Sequence, residues 1–402
     1  MSQKQASLIF FFVAAIYFVV WTIIPFFCEP NFRLDVTEMF LIGKEGVLAT
    51  FKHPALNSII LELVYQHLGR NEIAPYLLNQ VFFFLTAWAV WRVGREFFTP
   101  FEALVGVLMF YGYWAYFYAS LNYNHNIPHT TAWAFITLFS LLAIKYDRLR
   151  YWVGLGMAIG IGGHCKMTII FIVFAILFFT LFHPQTRKYW LRFGVYLSMV
   201  IALVIASPII HWFFVSDFSF LKFLSCYRLD ATLENRFFVF FDAVLALPLC
   251  CLPFIILFLP LSGFRFRLKE KMKTDITLIF VRNFLLSTNC IVLLLMLLAC
   301  FVVVTNRDFY DFTNIFIFAG LILLATFKTV QIPRTIRTFF IFFAATMVCY
   351  LVGYSAHVYC AYYVHERTQY LFPGKELAMK VENIWKSRYS KPFKYILPAI
   401  GR

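Results

Sequence analysis

Residues 8–28 read LIFFFVAAIYFVVWTIIPFFC, and residues 33–56 follow as RLDVTEMFLIGKEGVLATFKHPAL. The first stretch is apolar over the roughly 20 residues needed to cross a bilayer. The second is the most charged run near the N-terminus, with three acids, several cations and a His-Pro pair. A span followed at once by a dense charged loop sets the class of fold, because it asks what sits against the membrane surface just there.

The rest of the chain agrees with a membrane setting. Its 402 residues are 62% hydrophobic and 14% charged, with a mean hydropathy of +0.76. A soluble domain carries about 25% charged residues, so this is a polytopic membrane protein. The 52 Phe and 22 Tyr residues suit lipid-facing helices and aromatic belts. The net charge of +15 would suit nucleic acid in a soluble protein, but here the cations lie in short clusters between apolar runs, so no nucleic acid partner is expected. The nine cysteines are odd in number, lack a CxxC pair and fall mostly inside apolar runs. They predict packing rather than disulfides or zinc. The N-terminal run has no small-residue cleavage site after it and is expected to be an anchor helix.

Eleven apolar runs are candidate spans: 8–28, 75–94, 102–119, 128–145, 151–164, 167–183, 193–214, 237–260, 284–304, 313–327 and 336–355. Basic residues fix their direction. With the N-terminus inside, the inner connections carry Arg92 and Arg95, then Lys145, Arg148 and Arg150, then Arg187, Lys188 and Arg192, with further clusters at 265–282 and 328–337. The outer loops hold fewer cations in more residues and most of the acids, so the positive-inside rule is met in every loop. Residues 1–355 form the expected membrane domain. Residues 29–74 are its first outer loop, with short amphipathic helices lying in the interface. Residues 356–402 are the one extended polar segment, with a helical spacing at Leu377, Val381, Ile384 and Trp385 and a strand-like FKYILPAI at 393–400. At this length it is a poor independent core, so the expectation is an outer tail that packs on the membrane domain or the stub of a larger domain.

Several polar groups stand out against this background. Asp35 precedes His53 by eighteen residues. Lys166 lies between two apolar runs without a local acid, where a cation is costly unless it faces a cavity or a partner. Snorkelling from a helix end is the plainer reading of it. Asn124, His125 and Asn126 cluster at the mouth of the fourth span, as sugar-binding groups or as caps helped by Pro128. Asp242 is an intramembrane acid, a functional candidate or a cap.

The run Asp35-Val-Thr-Glu38 followed by Phe51-Lys-His-Pro-Ala-Leu56 resembles the first outer loop of bacterial GT-C glycosyltransferases. These are relatives of protein O-mannosyltransferases, of lipopolysaccharide galacturonosyltransferases and of the lipid A aminoarabinose transferase. Their loop has an Asp-Glu pair and, about eighteen residues on, His-Pro-Pro. Three later stretches resemble the family in order: NYNHNIPHTTAWAF from residue 122, the Gly-rich GLGMAIGIGGHCKM from residue 154, and SPIIHWFF from residue 207. The likeness covers residues 1–225. Val36 replaces the family Glu, with Glu38 as a stand-in; Ala55 replaces the second Pro; Cys165 replaces the Ser before Lys166; and Met167 replaces an aromatic residue.

The resemblance implies an all-α GT-C-like bundle of about eleven spans in a bacterial inner membrane, with its active site facing the periplasm. The implied reaction is inverting transfer of a sugar from a polyprenyl-phosphate donor to a periplasmic lipid, glycan or protein acceptor. Asp35 matches the family's catalytic base, with Glu38 beside it. Lys166 matches the phosphate site, and Arg33 and Lys52 are further phosphate candidates or plain interface charges. His53 would orient Asp35, touch phosphate, or share a divalent metal with His211. No cofactor beyond that metal is implied. Membrane lipids, the donor lipid and the acceptor are the expected partners. Two other classes stay open: a flippase of lipid-linked sugars, which would show repeated halves, and a non-catalytic subunit of envelope assembly.

Overall fold

The apolar run at 8–28 lies within a helix, as a bilayer requires of any spanning segment that must satisfy its own backbone N–H and C=O groups. The computed structural model describes residues 1–226, 232–269, 276–303, 310–364, 371 and 373–390, and the regular elements among them are helices. α1 (Gln3–Cys28) starts on a Ser2/Gln5 capping box. α2 (Leu34–Glu45) and α3 (Leu56–His67) make up the first loop, and α4 (Ala74–Phe97) leads out of it. α5 (Pro100–Tyr111) and α6 (Trp114–Ala119) precede α7 (Asn126–Tyr146), α8 (Leu149–Cys165) and α9 (Ile169–Phe182). A 3-10 turn at Arg187–Leu191 joins α9 to α10 (Phe193–Val215), followed by α11 (Ser219–Cys226), α12 (Leu233–Phe258) and α13 (Ile276–Val303). The described part continues with α14 (Tyr310–Thr313), a 3-10 turn at Asn314–Phe316, α15 (Ala319–Thr326), α16 (Pro333–Val364) and α17 (Gly374–Arg388).

Seven of these helices are long and apolar enough to cross a membrane: α1, α4, α7, α10, α12, α13 and α16. Their burial separates centre from rim. The most apolar window of α7 is 89% buried, whereas those of α1, α10, α12, α13 and α16 are between 17% and 28% buried. α7 is therefore the protein-facing centre, and the others turn apolar side chains outward, as helices in lipid do.

Each expected span overlaps a helix, but not every one is a single long helix. The run at 102–119 breaks into α5 and α6 at Gly112. At about 1.5 Å per residue, α5 is only about 18 Å long, short of the roughly 30 Å hydrocarbon core. The break is tolerated because Tyr350 donates its hydroxyl to the Gly112 carbonyl at 2.6 Å, and Leu257 lies where a Cβ on Gly112 would stand. The run at 313–327 is likewise a 3-10 turn plus the short α15. At the C-terminus, α16 continues to Val364, nine residues into the segment expected to be polar tail. Its tyrosines there extend the apolar surface, as Tyr359, Tyr362 and Tyr363 are exposed. α17 is the helix expected from the 377–385 spacing, and its Leu377 and Ile384 are exposed. The strand-like 393–400 lies outside the described residues.

The glycine-rich α8 brings the site residue at its end into place. Gly156 and Gly160 lie one turn apart against α10, and a Cβ on either would collide with Ile201 or Ile205 and with backbone carbonyl oxygens. Small residues at that spacing let two helices approach closely without a hydrophobic driving force in lipid. The first loop has its own small core of Val36, Met39, Leu61, Ala74, Leu78 and Tyr123. It is thus seated on the bundle rather than solvated around it.

Candidate active site

Asp35 sits in the first turn of α2, where a carboxylate is favoured by the exposed N–H groups of the helix start. It is half-buried. Its Oδ2 accepts hydrogen bonds from Asn122 Nδ2 and Asn124 Nδ2, both at 2.9 Å. Its Oδ1 accepts none among the described residues. The carboxylate is therefore fixed on one edge and open on the other.

The two asparagines belong to the loop before α7. Asn124 Oδ1 accepts the Asn126 backbone N–H at 2.9 Å, an Asx turn that launches the helix. Asn126 Oδ1 in turn accepts from Lys166 Nζ at 2.8 Å. Asp35 and Lys166 are thus joined by three successive hydrogen bonds through Asn124 and Asn126. Lys166 is 9% exposed and lies in extended backbone just past the end of α8, so its side chain returns toward the loop instead of continuing the helix. The junction is braced from α3: Asn57 donates to the Cys165 carbonyl at 3.1 Å, and Tyr123 donates to the Asn57 carbonyl at 2.9 Å.

His53 and Lys52 come from a tight hairpin. Thr50 Oγ1 accepts the backbone N–H groups of Lys52 and His53 at 3.2 and 3.1 Å, and the Ala55 N–H donates to the Leu48 carbonyl at 3.0 Å. The hairpin lays the His53 ring on His125, with centroids 3.5 Å apart. His125 is held well below its ordinary pKa, first by burial and then by the neighbouring His53, Lys166, Lys52 and His129. It is therefore neutral at pH 7, and its Nδ1 is buried with no hydrogen bond among the described residues. Lys52 pairs with Glu38 at 2.9 Å. Below Lys166 the polar layer continues into the bundle. Asn314 Nδ2 donates to His129 Nδ1 at 3.0 Å, so the other ring nitrogen, 3.3 Å from Thr168 Oγ1, carries the proton.

The candidates from the sequence thus fall into separate places. Asp35, Asn124, Asn126 and Lys166 form one connected set, and His53 stacks on His125 beside it. Glu38 and Lys52 pair with each other. Arg33 faces elsewhere: its guanidinium pairs with Glu29 at 2.6 Å, with side chains 8% and 0% exposed. Glu29 also accepts from Tyr76 at 3.3 Å and Tyr354 at 3.1 Å. Burial alone would lower the pKa of Arg33, but the Glu29 carboxylate outweighs it and raises it. His211 is exposed on α10. Among the described residues no group of three or more His, Cys, Asp or Glu side chains converges on a point. The residues present do not fit the metal pairing of His53 with His211, because Glu38 is taken up by Lys52 and no third ligand stands near. Asp242 is exposed on the outer side of α12.

Asn122 was not singled out by the sequence reading, although it opens the NYNHN run. Nor were His129 and Asn314, whose pairing spans 185 positions. Glu29 had a local signal, the i,i+4 spacing to Arg33.

Comparison with known proteins supplies a fold. A family model described as dolichyl-phosphate-mannose-protein mannosyltransferase matches residues 52–212. The crystal structure of ArnT from Cupriavidus metallidurans in the apo state matches with a TM-score of 0.57 at 14% identity, covering 77% of this chain and 59% of that one. The structure of the same protein bound to undecaprenyl phosphate matches with a TM-score of 0.53 at 16% identity, over the same shares. This chain therefore spans 59% of the length of the solved proteins it resembles. No curated protein is significantly similar to the sequence. The chain has the GT-C glycosyltransferase fold, as a multi-pass helical membrane protein.

Proposed function

We propose that this chain is an inverting glycosyltransferase that moves a sugar from a polyprenyl-phosphate carrier to an acceptor hydroxyl at the membrane face that carries Asp35. The observation that carries the proposal is the hydrogen-bonded line from Asp35 through Asn124 and Asn126 to Lys166. It puts a base and a cation on one scaffold. Such a transfer needs little else. The acceptor oxygen attacks the anomeric carbon, and its proton passes to Asp35 Oδ1, the edge that accepts no other hydrogen bond among the described residues. The bond from the anomeric carbon to the phosphate oxygen breaks, and its electron pair leaves with the carrier phosphate. Lys166 offsets that charge in a low-dielectric site where a fixed cation acts strongly. His53 and His125 line the approach, His125 as a neutral ring. The similar protein crystallised with undecaprenyl phosphate supports a carrier of that chemistry. In this reading residues 1–355 form the catalytic membrane domain, facing the periplasm of a bacterial inner membrane. The acceptor is a lipid A or lipopolysaccharide hydroxyl, another glycan or a protein.

The test is Asp35→Asn. Side-chain size and both amide contacts can persist, but the base is gone. Expected is loss of sugar transfer from the lipid carrier by a factor of about 100 or more, with normal membrane insertion. Full transfer by that variant would remove Asp35 from the chemistry. Carrier translocation that tolerates the change would point to a flippase instead.

A further inference from the structure

A second site lies at the opposite end of the bundle from Asp35. α7 runs away from the site loop toward Tyr146, and α8 returns from Leu149. Between the far halves of α7, α8, α9 and α10 is an apolar cavity of about 330 Å³. Ile136, Trp152, Ile176, Val195 and Ala202 line it, and Tyr189 and Trp190 of the 187–191 turn close its end. It is roughly twice the 150 Å³ at which an engineered apolar cavity already takes up a hydrocarbon. Leu177 and Leu203 also line it and are 37% and 60% exposed on outward-facing helices, so the cavity opens sideways toward the acyl phase.

Three observations define the occupant. The lining along α7 runs from Ile136 to Ile144, about 12 Å at 1.5 Å per residue, which is most of one leaflet of a roughly 30 Å core. The cavity thus takes a chain from one leaflet and stops short of the other. Next, two of its polar atoms, Ser140 Oγ and Trp190 Nε1, are buried without a hydrogen bond among the described residues. The other polar groups of the lining are already satisfied. Tyr189 donates to the Ile144 carbonyl at 2.6 Å, and Thr180 and Ser198 bond within their own helices. A hydroxyl and an indole N–H left over are both donors that need an acceptor. Finally, the turn that closes the cavity carries Arg187 and Lys188, both exposed, with Arg192 next to it and paired to Asp147 at 3.7 Å.

We infer that this cavity holds one acyl chain of an anionic glycerophospholipid from the leaflet opposite the Asp35 site. The phosphate lies over Arg187 and Lys188, and the ester oxygens accept from Trp190 Nε1 and Ser140 Oγ. The site is separate from the transfer chemistry, and its test does not depend on activity.

Purified protein in mild detergent is incubated with phosphatidylglycerol or phosphatidylcholine, and retained lipid is read by native mass spectrometry. Phosphatidylglycerol should be retained about 25-fold more, since each of the two basic residues favours an anionic lipid by roughly fivefold. Ala202→Phe, which fills the cavity, should cut that retention about tenfold or more. Trp190→Phe keeps the volume, removes the donor and should cut it about threefold. The pair Arg187→Gln with Lys188→Gln should erase the preference for the anionic lipid. Equal retention of the two lipids by the wild type would overturn the inference. So would unchanged retention in Ala202→Phe, or undecaprenyl phosphate being the lipid that Ala202→Phe releases. If Ala202→Phe fails to fold, the Trp190 and Arg187/Lys188 variants decide it: phosphatidylglycerol held as tightly by both as by the wild type ends the proposal.

Discussion

Glu29 and Asp35 lie six residues apart in the same loop and meet opposite fates. Glu29 is saturated. Arg33 grips it, Tyr76 and Tyr354 donate to it, and its side chain is fully buried. The cluster ties the loop to α4 and to α16, the last long helix. Among the described residues Asp35 has only two neutral amide donors, both on Oδ2, and it remains half-open. A carboxylate whose lone pairs are all used holds structure. One with an unused edge beside a cation has something left to do. What separates the two is the partner each one finds, because both are acids in one short charged stretch.

The comparison can be broken in several ways. The largest effect belongs to Asp35→Asn, with transfer down about 100-fold to 10,000-fold and an unchanged melting temperature in detergent. A protein that melts early would make Asp35 a second Glu29. The opposite profile is expected of Arg33→Ala. It leaves Glu29 buried and uncompensated, so stability should fall by roughly 3–5 kcal/mol, read as a lower unfolding midpoint. Lys166→Ala should lower kcat/KM for the lipid donor about tenfold or more, chiefly through kcat, because the charge on the departing phosphate loses a charge-assisted contact of roughly 1.5–3 kcal/mol. The smallest mutational effect is expected from Asn122→Ala, about 0.5–1.5 kcal/mol from one hydrogen bond, seen as a few-fold drop in kcat.

His125 adds a dependence on pH. Its folded pKa is depressed, so between that value and about 6.5 the unfolded chain binds more protons than the folded one. Stability should therefore hold above about pH 6.5 and fall as the pH drops below it. A melting temperature that declines from pH 7.5 to pH 5 in the wild type, and less steeply in His125→Asn, is the expected record. Equal slopes would show that His125 is not the group concerned.

Much of this was written in the sequence at the level of single residues. Apolar runs predict helices because a bilayer leaves backbone no other partner, and each run met one. Lys166 stood out through the cost of placing a charge between apolar runs, and Asp35 through the resemblance of its loop to the family's first outer loop. Asn122 did not, because an amide in a loop acquires meaning only from a carboxylate 87 positions away. Arg33 was judged by its charge alone, with no sign that Glu29 would claim it in a buried pair. The break at Gly112 depends on a tyrosine in α16, 238 positions on.

The sequence by itself determined the membrane class, the helices and which polar groups were too costly to be accidental, since these follow from local periodicity and from the solvation energy of each residue type. Tertiary structure alone decided which of two nearby acids was neutralised and which kept an open edge. It also decided that Lys166 would share a hydrogen-bonded line with Asp35. Those outcomes depend on distant helices delivering or withholding a donor at about 3 Å, and at that distance the interaction energy changes too steeply for the spacing along a chain to foretell it.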